Sequence, residues 1–171
     1  NKKEELEAYL EYLENIKLRD HNKLGREMEL FTTVDVIGQG LPLLMPKGTK
    51  MIQTLQNGIM DVNTYIVSND KELIVIDPGE QVDLISEIID NSQLTFIGIL
   101  ITHGHFDHIA GIDPLVERYN VPVYTSARNK IIIHNSELNL SDMMTSPFVP
   151  EAPLTTTTPH MSLGSFEIDV I

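Results

Sequence analysis

The feature that most constrains this chain is the junction between an apolar run and a dense group of metal-ligating side chains. Residues 96–101 read Phe-Ile-Gly-Ile-Leu-Ile, which is typical of a strand buried on both faces inside an α/β sheet. Residues 102–108 follow at once and contain three histidines and one aspartate. Neutral imidazoles and carboxylates are good ligands for zinc and similar divalent ions. The sequence therefore predicts a metal site at the carboxyl end of a buried strand.

The spacing of these side chains predicts two pairs of ligands. His103 and His105 lie two residues apart, so in an extended segment both point to one side, and Gly104 between them allows the backbone to approach an ion closely. Asp107 and His108 come at a predicted helix start, where the carboxylate is stabilised by the helix dipole. Adjacent residues there diverge in direction, so this second pair could face a second ion.

The motif His103-x-His105-x-Asp107-His108 resembles the signature of the metallo-β-lactamase-fold hydrolases. Residues 63–67 and 73–79 resemble that family's first hairpin and its Asp-Pro-Gly turn, and residues 121–124 and 137–141 resemble its small bacterial members. Those members are grouped with hydroxyacylglutathione hydrolase, the glyoxalase II group. The resemblance covers about residues 51–171 and implies an α/β fold, namely the amino-terminal half of an αββα sandwich.

The resemblance also implies a chemistry. It implies two divalent metal ions, with zinc expected first and iron or manganese as alternatives, that hold a bridging hydroxide. His103 and His105 would bind one ion, and Asp107 and His108 the other, with Asp107 also holding the attacking hydroxide as the catalytic residue. The implied substrate is a small acyl thioester such as a hydroxyacylglutathione. Asp77, in the Asp-Pro-Gly turn, either orients the metal loop from behind or only caps its own turn.

The other histidines and two aromatic residues have simpler interpretations. His134 is expected at a helix end and His160 in an exposed loop, and neither matches a ligand of the family. Tyr65 and Phe106 are expected to pack in the core. A catalytic zinc ordinarily has three protein ligands, whereas this sequence supplies two per ion. We therefore expect a truncated domain that binds zinc weakly and has little hydrolase activity by itself.

The beginning of the chain resembles a different family. Residues 1 to about 24 carry apolar side chains at helical spacing, and residues 1 to about 56 resemble the entry to the catalytic domain of threonyl-tRNA synthetase. No ATP-binding, zinc-binding or anticodon-binding motif of that synthetase has a counterpart here. The second hypothesis is therefore a non-catalytic fusion or fragment related to the synthetase, in which the hydrolase-like part is a passenger.

The distribution of charge supports a boundary near residues 50–57. Up to Gln56 there are 8 Lys or Arg against 9 Asp or Glu, and from Asn57 onward there are 4 against 16, which together give the net charge of −13. We expect a synthetase-like segment at residues 1–50 and a metallo-β-lactamase-like domain at residues 51–171. The acidic second part argues against a nucleic-acid partner, because binding phosphates requires Lys and Arg.

The absence of cysteine and of any long apolar run favours a cytoplasmic protein with no membrane partner. Nothing in the sequence specifies an oligomeric state. The pattern predicts a helix that ends near residues 119–120 and an irregular segment at 147–159. Further helices are predicted at residues 82–91 and 127–134, and strands at 64–68, 73–77, 96–102, 121–125 and 166–171.

Overall fold

The computed structural model describes residues 50–58 and 60–170. The predicted helix at residues 1–24 and most of the synthetase-like segment lie outside the described residues. The described strands are β1 (Met51–Asn57), β2 (Val62–Ser68), β3 (Glu72–Ile76), β4 (Thr95–Leu100), β5 (Val123–Thr125), β6 (Leu154–Thr156), β7 (His160–Leu163) and β8 (Phe166–Asp169). The described helices are α1 (Val82–Ser92), α2 (Phe106–Ile109), α3 (Ile112–Tyr119) and α4 (Ala127–Ile133), together with a 3-10 turn at Ser141–Met143.

Six of the strands form one mixed sheet in the order β1-β2-β3-β4-β5-β6. The first three are antiparallel neighbours, whereas β3, β4, β5 and β6 run parallel to one another. Parallel neighbours need crossover connections, and helices lie between β3 and β4 and between β4 and β5. The carboxyl ends of the parallel strands therefore meet at one edge of the sheet. This architecture confirms the α/β prediction.

Strands β2 and β3 are rich in buried apolar side chains. Leu73, Ile74 and Val75 of β3 are fully buried, as expected for a strand covered on both faces. The prediction that residues 96–101 are buried on both faces is right for Gly98, Ile99 and Ile101 and wrong for Phe96, Ile97 and Leu100, which are half-buried. The ring of Phe96 packs against Tyr119 in an edge-to-face arrangement, at a centroid distance of 5.3 Å.

Two amphipathic helices cover the sheet. In α1 the buried apolar side chains are Ile85 and Ile89, and in α3 they are Ile112 and Leu115. The helices α1 and α3 end at Gln93 and Asn120, each in the left-handed conformation common at helix ends. The predicted helix end at residues 119–120 agrees with this boundary.

The irregular segment predicted at residues 147–159 contains a strand. Thr155 and Thr156 in β6 pair in parallel with Tyr124 and Thr125, so β-branched threonines extend the sheet where the surrounding prolines had suggested a linker. In the part of the chain that the structure describes, no helix combines the length and apolar character needed to cross a bilayer.

The last predicted strand lies in a separate two-stranded hairpin of β7 and β8. His160 is exposed as expected, but it lies in β7 and not in a loop. Its ring nitrogens lie 2.7 Å from Asp169 and 3.2 Å from Glu167. The predicted strand at residues 121–125 is shorter than expected, because β5 begins at Val123.

Candidate metal centre

The Asp-Pro-Gly turn, residues 77–79, follows β3 at the carboxyl edge of the parallel sheet. Asp77 has a φ of +52°, in the left-handed region that aspartate tolerates better than most residues. Its backbone N–H donates to the carbonyl of Leu100 at 3.0 Å, and its carbonyl accepts the hydroxyl of Thr64 at 2.7 Å. The same hydroxyl oxygen accepts the N–H of Gly79 at 3.1 Å. The turn is therefore fixed from both neighbouring strands.

The carboxylate of Asp77 reaches from this turn to the metal loop, which we define as residues 102–108. Asp77 is 3% exposed, and its Oδ1 accepts the backbone N–H of Thr102 at 2.7 Å. Its Oδ2 accepts the Thr102 hydroxyl and lies 3.1 Å from Nδ1 of His108. Asp77 thus bonds to groups well outside its own turn, which a simple turn cap does not do.

The metal loop brings the three histidines together. The ring centroids of His103 and His105 lie 4.9 Å apart, and those of His103 and His108 lie 3.7 Å apart. Asp77, His103 and His108 each offer one ligand atom, and these atoms all lie within 4.8 Å of one another. Oδ2 of Asp107 lies 3.7 Å from Nε2 of His108. The predicted ligands and the carboxylate behind them therefore form one cluster.

Two glycines allow the metal loop and its exit to pack closely. A Cβ added to Gly104 would lie 2.9 Å from side-chain carbons of both Ile132 and Ile133, so no larger residue fits there without a shift of α4. A Cβ added to Gly111 would lie 2.8 Å from the carbonyl oxygen of Gly79. The sequence had suggested that Gly104 serves close approach to an ion, whereas the structure gives it close approach to a helix.

Burial affects the charge of the cluster. Burial lowers the pKa of His105, while the nearby Asp107 carboxylate raises it and His108 lowers it further. The lowered pKa favours the neutral imidazole, and a histidine must be neutral to bind a metal. Three imidazoles and two carboxylates, buried or half-buried at one sheet edge, match the donors preferred by zinc, iron and manganese. The residues present therefore fit divalent ions.

Sequence reasoning missed several polar residues that hold the metal loop from the other side. Asn129 donates from Nδ2 to the carbonyl of Thr102 at 2.8 Å, and its own N–H is accepted by the side chain of Ser126 at the start of α4. The sequence carried no clear signal for this role, because Asn129 stands between Arg128 and Lys130 in the polar half of the helix.

Asn139 and Ser141 form a second support, in a stretch that the sequence analysis cited for its resemblance but to which it assigned no role. The carbonyl of Asn139 accepts the N–H of Phe106 at 2.8 Å, where α2 begins. Its side-chain Nδ2 donates to the carbonyls of Ile133 at 3.1 Å and Phe148 at 3.0 Å. Ser141 donates its hydroxyl to the Phe148 carbonyl at 2.8 Å. Both Asn139 and Ser141 are fully buried, so this network fixes the helix start that carries Asp107.

The two histidines that were not predicted to bind a metal lie outside the cluster. His134 is exposed at the end of α4, and His160 is exposed on β7. Tyr65 and Phe106 are buried, in agreement with their predicted packing role.

The chain is similar to known proteins of two kinds. The family model described as the metallo-beta-lactamase superfamily matches residues 57–168. The chain is 31% identical over 113 residues to the probable metallo-hydrolase YqgX of Bacillus subtilis (strain 168), an alignment that covers 66% of this chain and 52% of that protein. It is also 68% identical over 60 residues to a threonine--tRNA ligase of Clostridium perfringens (strain SM101 / Type A), covering 35% of this chain and 9% of the ligase.

Two solved structures have a similar fold. The BLEG-1 B3 metallo-beta-lactamase has a TM-score of 0.64 and 30% identity, with 70% of this chain and 59% of that chain covered. TTHA1623 in a di-iron-bound form has a TM-score of 0.57 and 26% identity, with 65% and 56% covered. The chain thus spans about half the length of its hydrolase relative and 9% of the ligase.

Proposed function

We propose a function on the premise that this chain belongs to the metallo-beta-lactamase superfamily. The chain is a metal-binding hydrolase domain, and its substrate is a small acyl thioester of the hydroxyacylglutathione type. The observation that carries the proposal is the convergence of His103, His108 and Asp77, whose ligand atoms lie within 4.8 Å of one another at the carboxyl edge of the sheet.

The proposed site holds two divalent ions. His103 and His105 would bind one ion, and Asp107 and His108 the other, with zinc as the first candidate metal. The similarity to TTHA1623 in a di-iron-bound form supports iron as an alternative. Such ions, when bound, lower the pKa of a coordinated water and polarise the carbonyl of a substrate.

The chain's own residues supply orientation and charge. Asp107 lies in the first turn of α2 and is half-buried, so its carboxylate presents acceptor oxygens inside the cluster. We assign to it the orientation of the attacking water. Asp77 lies behind the ligands and holds the backbone and hydroxyl of Thr102 together with Nδ1 of His108. It would orient ligands without touching the substrate.

Two features of the chain support an acyl thioester as the substrate. The residue after Asp107 is His108, which in the resembling family favours the thioesterase, lactonase and nuclease branches over the best-known β-lactam-cleaving branch. Within those branches the acidic surface disfavours nucleic acid, since residues from Asn57 onward contain 4 Lys or Arg against 16 Asp or Glu.

The second candidate is a non-catalytic piece related to threonyl-tRNA synthetase. It is favoured by the identity of 68% over 60 residues to the ligase of Clostridium perfringens. Under this candidate the hydrolase-like cluster would have no metal-dependent role.

Metal content separates the two candidates. The full-length gene product that carries this chain should be purified and measured by elemental analysis beside a His103→Ala variant and a His134→Ala control, which removes an exposed histidine outside the cluster. We expect about two ions per chain in the unaltered protein and in the control, and fewer in the His103 variant. An unaltered protein that holds no divalent ion even after zinc is supplied would overturn the proposed function.

A further inference from the structure

We propose that Thr102 is a positioning residue that fixes the tautomer of His103, so that Nε2 of this imidazole is the nitrogen left for the metal. The inference rests on the proposed metal-binding function and extends it to a residue outside the ligand set. Through Thr102, the single carboxylate of Asp77 would determine the protonation pattern of two imidazoles, those of His103 and His108.

The first step is the direction of the bond between Thr102 and Asp77. An ionised carboxylate only accepts hydrogen bonds, and Asp77 faces three donors: the Thr102 N–H at 2.7 Å, the Thr102 hydroxyl, and Nδ1 of His108 at 3.1 Å. The hydroxyl of threonine has one hydrogen, and this bond uses it. Nδ1 of His108 must carry a proton to bond to the same carboxylate.

The second step concerns the remaining lone pairs of the Thr102 oxygen. Oγ1 of Thr102 lies 3.1 Å from Nδ1 of His103. Because the hydroxyl hydrogen already points to Asp77, this oxygen can only accept from the ring, so Nδ1 of His103 carries the proton. In a neutral imidazole the other nitrogen, Nε2, then keeps its lone pair and can bind a metal.

The third step is the rigidity of the Thr102 hydroxyl. Both backbone polar groups of Thr102 are held. Its N–H donates to Asp77, and its carbonyl accepts a hydrogen bond from Nδ2 of Asn129 at 2.8 Å. A β-branched side chain has few χ1 rotamers, so a fixed backbone also fixes the hydroxyl. The oxygen is therefore already placed for His103 before a metal arrives.

The expected effect follows from how partners behind a ligand act in metal sites. Without the hydroxyl, His103 exchanges between its two neutral tautomers, and only one of them presents Nε2. Removing such a partner typically weakens metal affinity roughly 10-fold to 100-fold. Thr102 is exposed, so water can partly replace the hydroxyl. We therefore expect its removal to weaken zinc affinity roughly 10-fold.

The test compares Thr102→Val, which keeps the shape and removes the hydroxyl, with Thr102→Ser, which restores the hydroxyl. The matched control is Thr125→Val, since the Thr125 hydroxyl donates to the carbonyl of Ile101 at 3.1 Å on the neighbouring strand. Ring nitrogens of ¹⁵N-labelled histidine are recorded by NMR in the metal-free full chain at about pH 8, where a free imidazole is neutral. Zinc affinity is then measured by competition with a chelator.

We expect His103 to be protonated on Nδ1 in the unaltered protein, the Ser variant and the Thr125 control, and to show mixed tautomers with roughly 10-fold weaker zinc binding in the Val variant. A His103 protonated on Nε2, or a Val variant with an unchanged tautomer, would overturn the proposal. Because the tautomer is read without metal, a fixed tautomer in a protein that binds no zinc supports the role of Thr102 and counts against the proposed function alone.

Discussion

Two clusters of histidine and carboxylate side chains lie in opposite surroundings in the part of this protein that the structure describes. In the metal loop, burial lowers the pKa of the half-buried His105. On the β7–β8 hairpin, the hydrogen bond to Asp169 raises the pKa of the exposed His160, and Glu167 adds to that rise. A lowered pKa favours the neutral ligand and a raised pKa favours the cation. The same residue types are therefore biased towards the neutral imidazole in the metal loop and towards the cation on the hairpin.

The largest expected difference between the clusters is in catalysis. Replacing His103 or Asp107 by Ala in the full-length protein should abolish hydrolysis of a model thioester, because each change removes a proposed ligand. Replacing His160 by Ala should leave turnover unchanged. The measurement is steady-state hydrolysis with circular dichroism to check the fold. Equal activity in the unaltered protein and both loop variants would show that the metal loop takes no part in the reaction.

A second prediction compares the two carboxylates that bond to histidine. Asp77→Asn replaces an acceptor oxygen by an amide donor that meets the donors of Thr102 and His108 in a buried site, and we expect a loss of about 2–3 kcal/mol in the free energy of unfolding. Asp169→Asn alters an exposed side chain and should change stability little. Urea denaturation measures both. Similar losses of stability in the two variants would contradict the expectation that the burial of Asp77 makes its replacement more costly.

A third prediction concerns the packing of the metal loop. Gly104→Ala puts a Cβ 2.9 Å from Ile132 and Ile133, and we expect a loss of about 1–2 kcal/mol from overpacking. The double variant with Ile132→Ala should lose less than the two single losses combined, because the second change makes room for the new methyl group. Strict additivity in urea denaturation would show that the contact is not the cause.

The smallest expected effect is the pH dependence of the hairpin. The pKa of His160 is raised in the folded protein, so its stabilising contribution is present below the unfolded pKa and is lost as pH rises through the folded pKa. An NMR titration should give His160 a higher pKa than free histidine, and Asp169→Asn should lower it. A His160 that titrates like free histidine in both proteins would contradict the contact.

The sequence could predict the metal loop because its ligands are neighbours along the chain. His103 to His108 occupy six consecutive positions after an apolar strand, and strand and loop appear where expected. The residues that hold that loop in place were harder to predict from the sequence. Thr102 and Asp77 are 25 residues apart, and Thr102 and Asn129 are 27 apart, and such pairs leave no periodic signal.

The two strands at the edges of the six-stranded sheet were also missed. β6 has three residues and is flanked by prolines, so only its pairing with β5 makes it a strand. β1 was not predicted either, although it pairs with β2 along seven residues. Pairing with a neighbouring strand determines whether such segments form strands, and local sequence propensity predicts this pairing poorly.

The left-handed backbone of Asp77 limits which amino acids can occupy that position. A φ of +52° is easily adopted by glycine and tolerated by asparagine and aspartate. The two oxygens of the carboxylate can accept from the Thr102 N–H, the Thr102 hydroxyl and Nδ1 of His108. Of these three residues only aspartate offers acceptor oxygens without an amide donor, so in a saturation library at this codon we expect asparagine to fold with reduced stability and glycine to lose every side-chain bond to Thr102 and His108.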